Sequence, residues 1–321
     1  MKAAVIYAKG ENPQYADVAE PVVTNEDELL MTVKAAAIKH FDKGVASGKH
    51  YSSEQKANAR IIGGDGVGTL ADGTRVFALG SGMIAEKAII EKDRIVPLPA
   101  GIDDVIAAAL PNAVAGSAMA LRFRAGIKQG ETVLINGATG FTGRVAVQIA
   151  KHYGAGKVIV TGRNVNSLQE LLSLGANETI STQQDDEQFL AAIKKVHADT
   201  PVDVIIDYLW GHTAELILSS LKGKGTLTHK TRFVSIGSVT GDKIQLSAEN
   251  LRSVDLQLTG SGLGSWSKQE MKLLFTEILP DIFSLAAEGK IKVDTQTVAL
   301  SDIENLWQMT VEGGKRLVVV V

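Results

Sequence analysis

Cysteine is absent from the 321 residues. That excludes disulfides, thiolate nucleophiles and every cysteine-ligated zinc site. Excess positive charge is absent too. The net charge is −3, which gives no reason to expect nucleic acid or an anionic membrane as partner. No long hydrophobic run is present: the longest weakly polar stretch, residues 105–121, contains Pro111, Asn112, Gly116 and Ser117 and reads as no membrane span. The opening MKAAVIYAKG alternates like a strand and has no apolar signal-peptide core, so the expected location is the cytoplasm. Internal repeats and low-complexity linkers are missing. The histidines at 152, 197, 212 and 229 have no metal-ligand spacing. What remains, 45% hydrophobic and 21% charged, is an ordinary globular composition, long enough for two domains.

The most informative stretch is ETVLINGATGFTGRVAVQIAKHYGAGKVIVTGRN, residues 131–164. An apolar run (132–135) leads into a glycine loop (136–143). Val145, Ile149, Ala150 and Tyr153 then repeat at helical spacing, Gly154 stops the helix, and a second apolar run follows at 158–160. Strand, loop, helix and strand make one βαβ unit. Such a loop gathers free backbone N–H groups and the positive end of a helix dipole, which suits a pyrophosphate. Gly140 and Gly143 fit the last two glycines of the dinucleotide fingerprint. Ala138 stands where its first glycine would be, and Thr139, Phe141 and Thr142 complete the predicted cradle.

Around this unit the chain changes texture. The first hundred residues read as short strands at 3–7, 29–38, 74–79, 84–90 and 94–97, separated by glycine turns, which predicts a compact β domain. Asp103 or Asp104 can cap a helix that Pro111 ends, and a second helix covers about 114–124. From 132 strands and helices alternate: helices near 167–174, 186–197 and 213–221, strands at 178–180, 202–207, 233–236 and 256–259. Six such strands make a doubly wound parallel sheet. A long helix (268–288), a strand (296–300), a helix from Ser301 and a last strand (316–321) are expected to return to the N-terminal domain.

An NAD site places an acidic residue about 20 positions past the glycine loop, to hold the ribose 2′-OH. Here the second strand ends in Gly162-Arg163-Asn164. A carboxylate would repel a 2′-phosphate, whereas a guanidinium pairs with it. The expected cofactor is NADPH, with Arg163 as the phosphate clamp and Asn164 beside it.

Taken with its neighbours, this stretch resembles the medium-chain dehydrogenase/reductase superfamily, in its zinc-independent quinone oxidoreductase branch. The resemblance runs through MKAAVIY, VKAAAIKHFD (33–42), IIGGDGVGTL (61–70), RVFALGSGMIAEKAII (75–90), ALPNAVAGSAMAL (109–121), INGATGFTGRVAVQIAK (135–151), RFVSIGS (232–238) and GKRLVVVV (314–321). It implies an α/β protein: a Rossmann doubly wound parallel sheet, residues 113–265, plus a GroES-like β-rich domain built from both chain ends, 1–112 and 266–321, with the active site in the cleft. The family is often homodimeric.

Zinc-containing members carry Cys at the position matched by Lys39, and His-Glu in the stretch matched by Gly64-Asp65. A lysine and an aspartate with no second soft ligand make no catalytic zinc site, so no metal is expected. Without that Lewis acid the substrate should already be activated, as a quinone or a conjugated enone or enal is. The expected function is therefore NADPH-dependent hydride transfer to such an acceptor. The alternative is a non-catalytic NADPH-binding sensor or partner-binding protein on the same fold.

Site residues follow from the resemblance. The position of His40 reaches the cofactor pyrophosphate in zinc-containing relatives; its other reading is a surface histidine at a helix start. Lys39 holds a phosphate, polarises a carbonyl, or pairs with Asp42 or Asp65. Asn112 supplies an amide to the site or caps a helix. These last two are the weak candidates for a catalytic role. Gly237-Ser238 and Gly260-Ser261 end the fifth and sixth strands, where the family covers the nicotinamide. Phe41 and Tyr51 are candidates to line the substrate pocket. Quinone reductases usually have Asn at Lys39 and Thr at Gly116, so this chain departs from the pattern at both.

Overall fold

The computed structural model describes residues 1–8, 10–48, 59–223, 228–309, 311 and 313–321. Among them the chain forms two units: Met1–Pro111 with Phe275–Val321, and Asn112–Leu274.

The first unit is built from both ends of the chain. Its larger sheet runs in the order Asp294–Ala299, Lys315–Val320, Glu28–Ile38, Asp65–Thr69, Arg75–Leu79, Ile95–Pro97, and Lys87–Glu91 also pairs with Glu28–Ile38. The C-terminal strand Lys315–Val320 lies antiparallel on Glu28–Ile38, with Leu317 opposite Ile38. A smaller sheet pairs Lys2–Ile6 with Gln14–Asp17 and Arg60–Ile61. Alternation drives this packing: Met31, Val33, Val76, Ala78, Leu317 and Val319 are buried in one aliphatic core. The short strands at Gln14–Asp17, Arg60–Ile61 and Asp65–Thr69 are additions to the expected set. Asp65–Thr69 reads DGVGT, poor strand chemistry by propensity. It pairs there because a Cβ at Gly68 would lie 2.2 Å from the Thr32 carbonyl, so only glycine fits against the neighbouring strand.

The second unit is the parallel sheet. Its strands are β1 (Thr132–Asn136), β2 (Lys157–Gly162), β3 (Glu178–Ser181), β4 (Val204–Asp207), β5 (Thr231–Ser235) and β6 (Leu256–Gly260), all parallel in the order β3-β2-β1-β4-β5-β6. The helices between them are α1 (Phe141–His152), α2 (Val165–Ser173), α3 (Asp186–Asp199), α4 (Gly211–Ser220) and the short α5 (Ala248–Arg252). Strand order reverses between β1 and β4, which opens a crevice at the strand C-ends. The strands are nearly all apolar because both faces are covered: Leu134, Ile159, Ile205 and Phe233 are inaccessible to solvent.

Two helix boundaries differ from the sequence reading. The helix capped by Asp103 does stop before Pro111, at Ala109, but the next begins at Pro111 itself, Pro111–Met119, and not near 114, since the first turn needs no N–H from proline. The tail helix is interrupted by a π turn, Leu274–Ile278, between Lys268–Leu273 and Leu279–Ala287. Among the described residues no helix is long and apolar enough to cross a membrane.

Candidate functional site

The C-ends of β1, β2 and β4 carry the loops of interest. After Asn136 the chain turns at Gly137, whose φ of 85° is left-handed and favours glycine. The tight turn is therefore at Gly137, and not at Ala138, which is fully buried and donates its N–H to the Thr161 carbonyl at 2.8 Å. Gly140 caps α1 with φ −79°, ordinary extended backbone, and no side chain caps the helix. A Cβ on Gly140 would meet nothing within 4 Å. The start of α1 thus presents a bare backbone surface, the arrangement that receives a pyrophosphate. Gly143 does a different job: a Cβ there would lie 2.4 Å from Ala138 Cα, so it lets α1 pack onto its own loop. Gly162 does the same against Thr139, whose Cγ2 would lie 2.3 Å from a Cβ. Phe141 is buried and Thr142 half-buried.

Beneath these loops lies a buried polar chain that the sequence reading did not find. Asn136 Nδ2 donates to Asp207 Oδ1 at 2.7 Å, and Thr161 Oγ1 donates to Asn136 Oδ1 at 2.6 Å. Asp207 also accepts the backbone N–H groups of Leu209 and Trp210, each at 3.0 Å. Burial pushes the Asp207 carboxyl up to about 6, against the pull of these three donors. The sequence signal was an Asn and an Asp closing apolar strands, polar residues at positions otherwise filled with valine and isoleucine.

Arg163 is exposed at the end of β2, with no ion-pair partner among the described residues. Asn164 is the N-cap of α2, its Oδ1 accepting from Ser167 N at 2.9 Å, which leaves its amide hydrogens free. Gly237 follows β5 so closely that a Cβ would stand 2.7 Å from the Tyr208 carbonyl, and Ser238 is exposed. Gly260 is exposed at the end of β6. Ser261 is buried and accepts the Trp266 indole N–H at 3.0 Å, a supporting role for the next loop. Asn112 is half-buried in the first turn of its helix. A Cβ on Gly116 would meet Ile236 at 3.6 Å and Thr142 at 3.9 Å, ordinary contacts with room for a methyl group.

The remaining candidates lie in the β unit. Lys39 is 3% exposed. Its Nζ is 2.5 Å from Asp65 Oδ1 and 3.2 Å from Asp42 Oδ2, and it donates to the Ala37 carbonyl at 3.2 Å. Asp42 Oδ2 also accepts the Lys39 backbone N–H at 2.8 Å, which closes the start of the helix His40–Ser47. Arg316, from the last strand, is buried in the same neighbourhood. Burial pulls its guanidinium down to about 10, while Asp42 and Asp65 pull the other way. Burial pulls the Lys39 ammonium down as well, but the two carboxylates outweigh it and hold it above 10.5. Of the readings open for Lys39, the ion pair is the one present. A protonated amine has no lone pair for a metal, so these donors do not suit zinc. Among the described residues no three acidic or histidine side chains gather as a metal site.

His40, the first residue of that helix, is exposed at its surface. Its pKa is lowered by partial burial and then by Arg316 and Lys43. Phe41 is half-buried, with Cε1 3.7 Å from where a Gly64 Cβ would be. Tyr51 lies outside the described residues. Three other histidines have local partners: His197 Nδ1 accepts from Val202 N, His212 pairs with Asp186 and His229 with Asp203.

Residues 142–279 match the family model described as zinc-binding dehydrogenase. The chain is 25% identical to a probable NADPH-dependent quinone reductase of Emericella nidulans, over 96% of each chain. It is 29% identical to the quinone oxidoreductase of Sus scrofa, over 81% of this chain and 78% of that one. Among solved structures, the Escherichia coli quinone oxidoreductase complexed with NADPH superposes with a TM-score of 0.83 at 24% identity, each chain covered fully. A mycobacterial quinone oxidoreductase reaches 0.85 at 20% identity, again over both whole chains. At these identities the solved structures speak to fold alone.

Proposed function

We propose that this chain, a quinone oxidoreductase-like member of the medium-chain dehydrogenase/reductase superfamily, reduces a quinone or a conjugated enone or enal with NADPH and without zinc. The observation that carries the reading is the crest of the parallel sheet. An uncapped helix start with open space at Gly140 stands near a strand end that offers an exposed guanidinium at Arg163, with no ion-pair partner among the described residues. The residues fit the cofactor. The loop 137–143 would receive the pyrophosphate on backbone N–H groups. Arg163 and the free amide hydrogens of Asn164 would receive the 2′-phosphate. The loops after β5 and β6, with Gly237, Ser238, Gly260 and Ser261, are our candidates for the nicotinamide end.

Bound NADPH would supply a hydride, two electrons with one hydrogen nucleus, and the acceptor would take one further proton from water. The chain's part is to hold and orient the cofactor and to exclude water. The ion cluster of Lys39 supports the zinc-free reading, since its amine is engaged by Asp65, Asp42 and the Ala37 carbonyl. An acceptor activated by its own conjugation needs no Lewis acid to stabilise an alkoxide.

The test is NADPH oxidation across a panel of quinones, enones and enals, beside the same panel with NADH and beside metal analysis of the purified protein. Turnover with NADPH and no stoichiometric zinc is the expected result. Zinc lost together with activity would sink the metal-free part. NADPH binding with no turnover on any acceptor would replace the reductase by a cofactor-binding sensor.

A further inference from the structure

The sheet crest holds one more feature that the cofactor reading does not use. Asp207, Asn136, Thr161 and the backbone around them form a continuous hydrogen-bonded chain under the strand ends, across β4, β1 and β2. Asp207 and Thr161 are 0% exposed, as is Asn136. An ionised carboxylate only accepts, so it fixes the direction of every bond in the chain. Asn136 must turn its NH2 toward Asp207 and its carbonyl toward Thr161. The Thr161 hydroxyl must then give its hydrogen to Asn136, which leaves its oxygen to accept the Gly137 N–H at 3.1 Å. Thus the carboxylate reaches the first turn of the glycine loop through two side chains.

The other side of Asp207 reaches a second loop. Its two oxygens hold the N–H groups of Leu209 and Trp210. Trp210 has φ 57° and is the only non-glycine residue with positive φ among the described residues, a conformation that persists only where its surroundings dictate it. Thr240 Oγ1 grips the same turn from outside, donating to the Leu209 and Trp210 carbonyls at 3.0 Å each. The carbonyl of Asp207 accepts from Ile236 N at 2.8 Å and Gly237 N at 3.2 Å, which ties in the loop after β5. The first two loops also touch directly: a Cβ on Gly137 would lie 2.7 Å from the Leu209 side chain. Neither can shift without the other.

We propose that Asp207 is a positioning residue for cofactor binding: through Asn136 and Thr161 it sets the glycine loop, and through Leu209 and Trp210 the loop beside it. The inference rests on the reading of this unit as a dinucleotide site. Its consequence differs from that of Arg163. The glycine loop meets the pyrophosphate, which NADPH and NADH share, so disturbing Asp207 weakens both cofactors alike, whereas Arg163 acts on the 2′-phosphate alone.

The experiment measures the Kd of NADPH and of NADH, with thermal unfolding, for the wild type, Asp207→Asn, Thr161→Val and the double variant. Asn at 207 turns an acceptor into a donor on one side and so breaks one end of the chain. Asp207→Asn should weaken both cofactors by about tenfold or more, the worth of a displaced charge-assisted bond. Thr161→Val should weaken both by a smaller factor, and the double variant by less than the product of the two. At saturating NADPH, kcat should be retained while KM rises. A purely structural role would lower the unfolding temperature and leave both Kd values within about twofold of wild type, which would overturn the proposal. So would strictly multiplicative effects in the double variant. If Asp207→Asn does not fold, Thr161→Val decides alone: unchanged Kd overturns the proposal, and matched weakening of both cofactors supports it. A wild type that binds neither dinucleotide fails at the cofactor reading itself, before Asp207 is tested.

Discussion

Two polar regions of this protein handle charge in opposite ways. In the β unit, Lys39 is paired with Asp42 and Asp65, all three buried, and Arg316 is buried where the same two carboxylates act on its charge. At the crest of the parallel sheet, Asp207 is satisfied below while the surface above is left bare: no cap on α1, open space at Gly140, an exposed Arg163. Groups already committed to each other have little to offer a ligand. Groups held in place but uncommitted on one side are prepared for one, because their desolvation and ordering cost is met in the fold rather than at binding. The contrast explains why Lys39, at a position that invites a catalytic role, is a poor candidate for it, and why the start of α1 is the better candidate for a ligand site.

The sharpest way to break this contrast is to unbalance the closed cluster. Lys39→Met removes one cation and leaves buried carboxylates facing Arg316 alone. Unpairing a buried ion costs about 3–5 kcal/mol, which urea unfolding should register. A loss under about 1 kcal/mol, the size of a surface pair, would mean the cluster is not closed. Restoring stability by adding Asp65→Asn would confirm that the charges answer each other.

Next comes the open side. Gly140→Val should leave unfolding almost unchanged, because φ at 140 suits any residue and the Cβ meets no protein atom. NADPH affinity should nonetheless fall by about 100-fold or more if the pyrophosphate approaches there, about 3 kcal/mol. Equal affinity would move the phosphate elsewhere.

Arg163→Ala should follow in size. A charge-assisted bond to a 2′-phosphate is worth roughly 1.5–3 kcal/mol, about 10- to 150-fold, less some screening at an exposed position. The ratio of kcat/KM for NADPH over NADH, at fixed ionic strength, should fall by that order with NADH nearly untouched. If both cofactors drop together, Arg163 is not the clamp.

Smaller is the pH response of the buried carboxylate. Asp207 is raised by burial from 3.8 to about 6. A raised folded-state value means the protonated form is favoured on folding, so this contribution is full below about pH 4 and is lost as pH rises through 6. Between pH 5 and 7 the loss amounts to about 1 kcal/mol. The stability of wild type relative to Asp207→Asn, which does not titrate, should therefore decline over that interval. A flat difference would show that the three donors hold the carboxylate ionised throughout.

The least effect belongs to Gly116→Ala. Inside the helix Pro111–Met119 alanine should stabilise by about 0.5–1 kcal/mol, since its Cβ makes only ordinary contacts. If melting temperature rises while turnover falls, glycine is kept at 116 for the reaction and not for the fold.

Much of the parallel unit was legible in the chain itself. The apolar runs at Thr132–Asn136, Lys157–Gly162 and Val204–Asp207, with helical spacing between them, are local patterns, and a parallel sheet covered on both faces demands them. Glycines were legible as a group but not by role. Gly137, Gly140 and Gly143 serve a left-handed turn, an open approach and a close packing contact respectively, and only coordinates separate those jobs. Asp42 and Asp65 were both open to reading as alternative partners of Lys39, and the structure has it paired with both, while Arg316 arrives unforeseen from the far end of the chain. Asp207 gave no local sign of its partners, because Asn136 and Thr161 meet it only when β2, β1 and β4 lie side by side. Periodicity and turn chemistry act between neighbours in sequence, so the sequence by itself determined the elements, their order and the place of the glycine loop. Whether a buried charge is neutralised, and which loop a carboxylate holds, depends on residues brought together by strand pairing, and that only the tertiary structure decided.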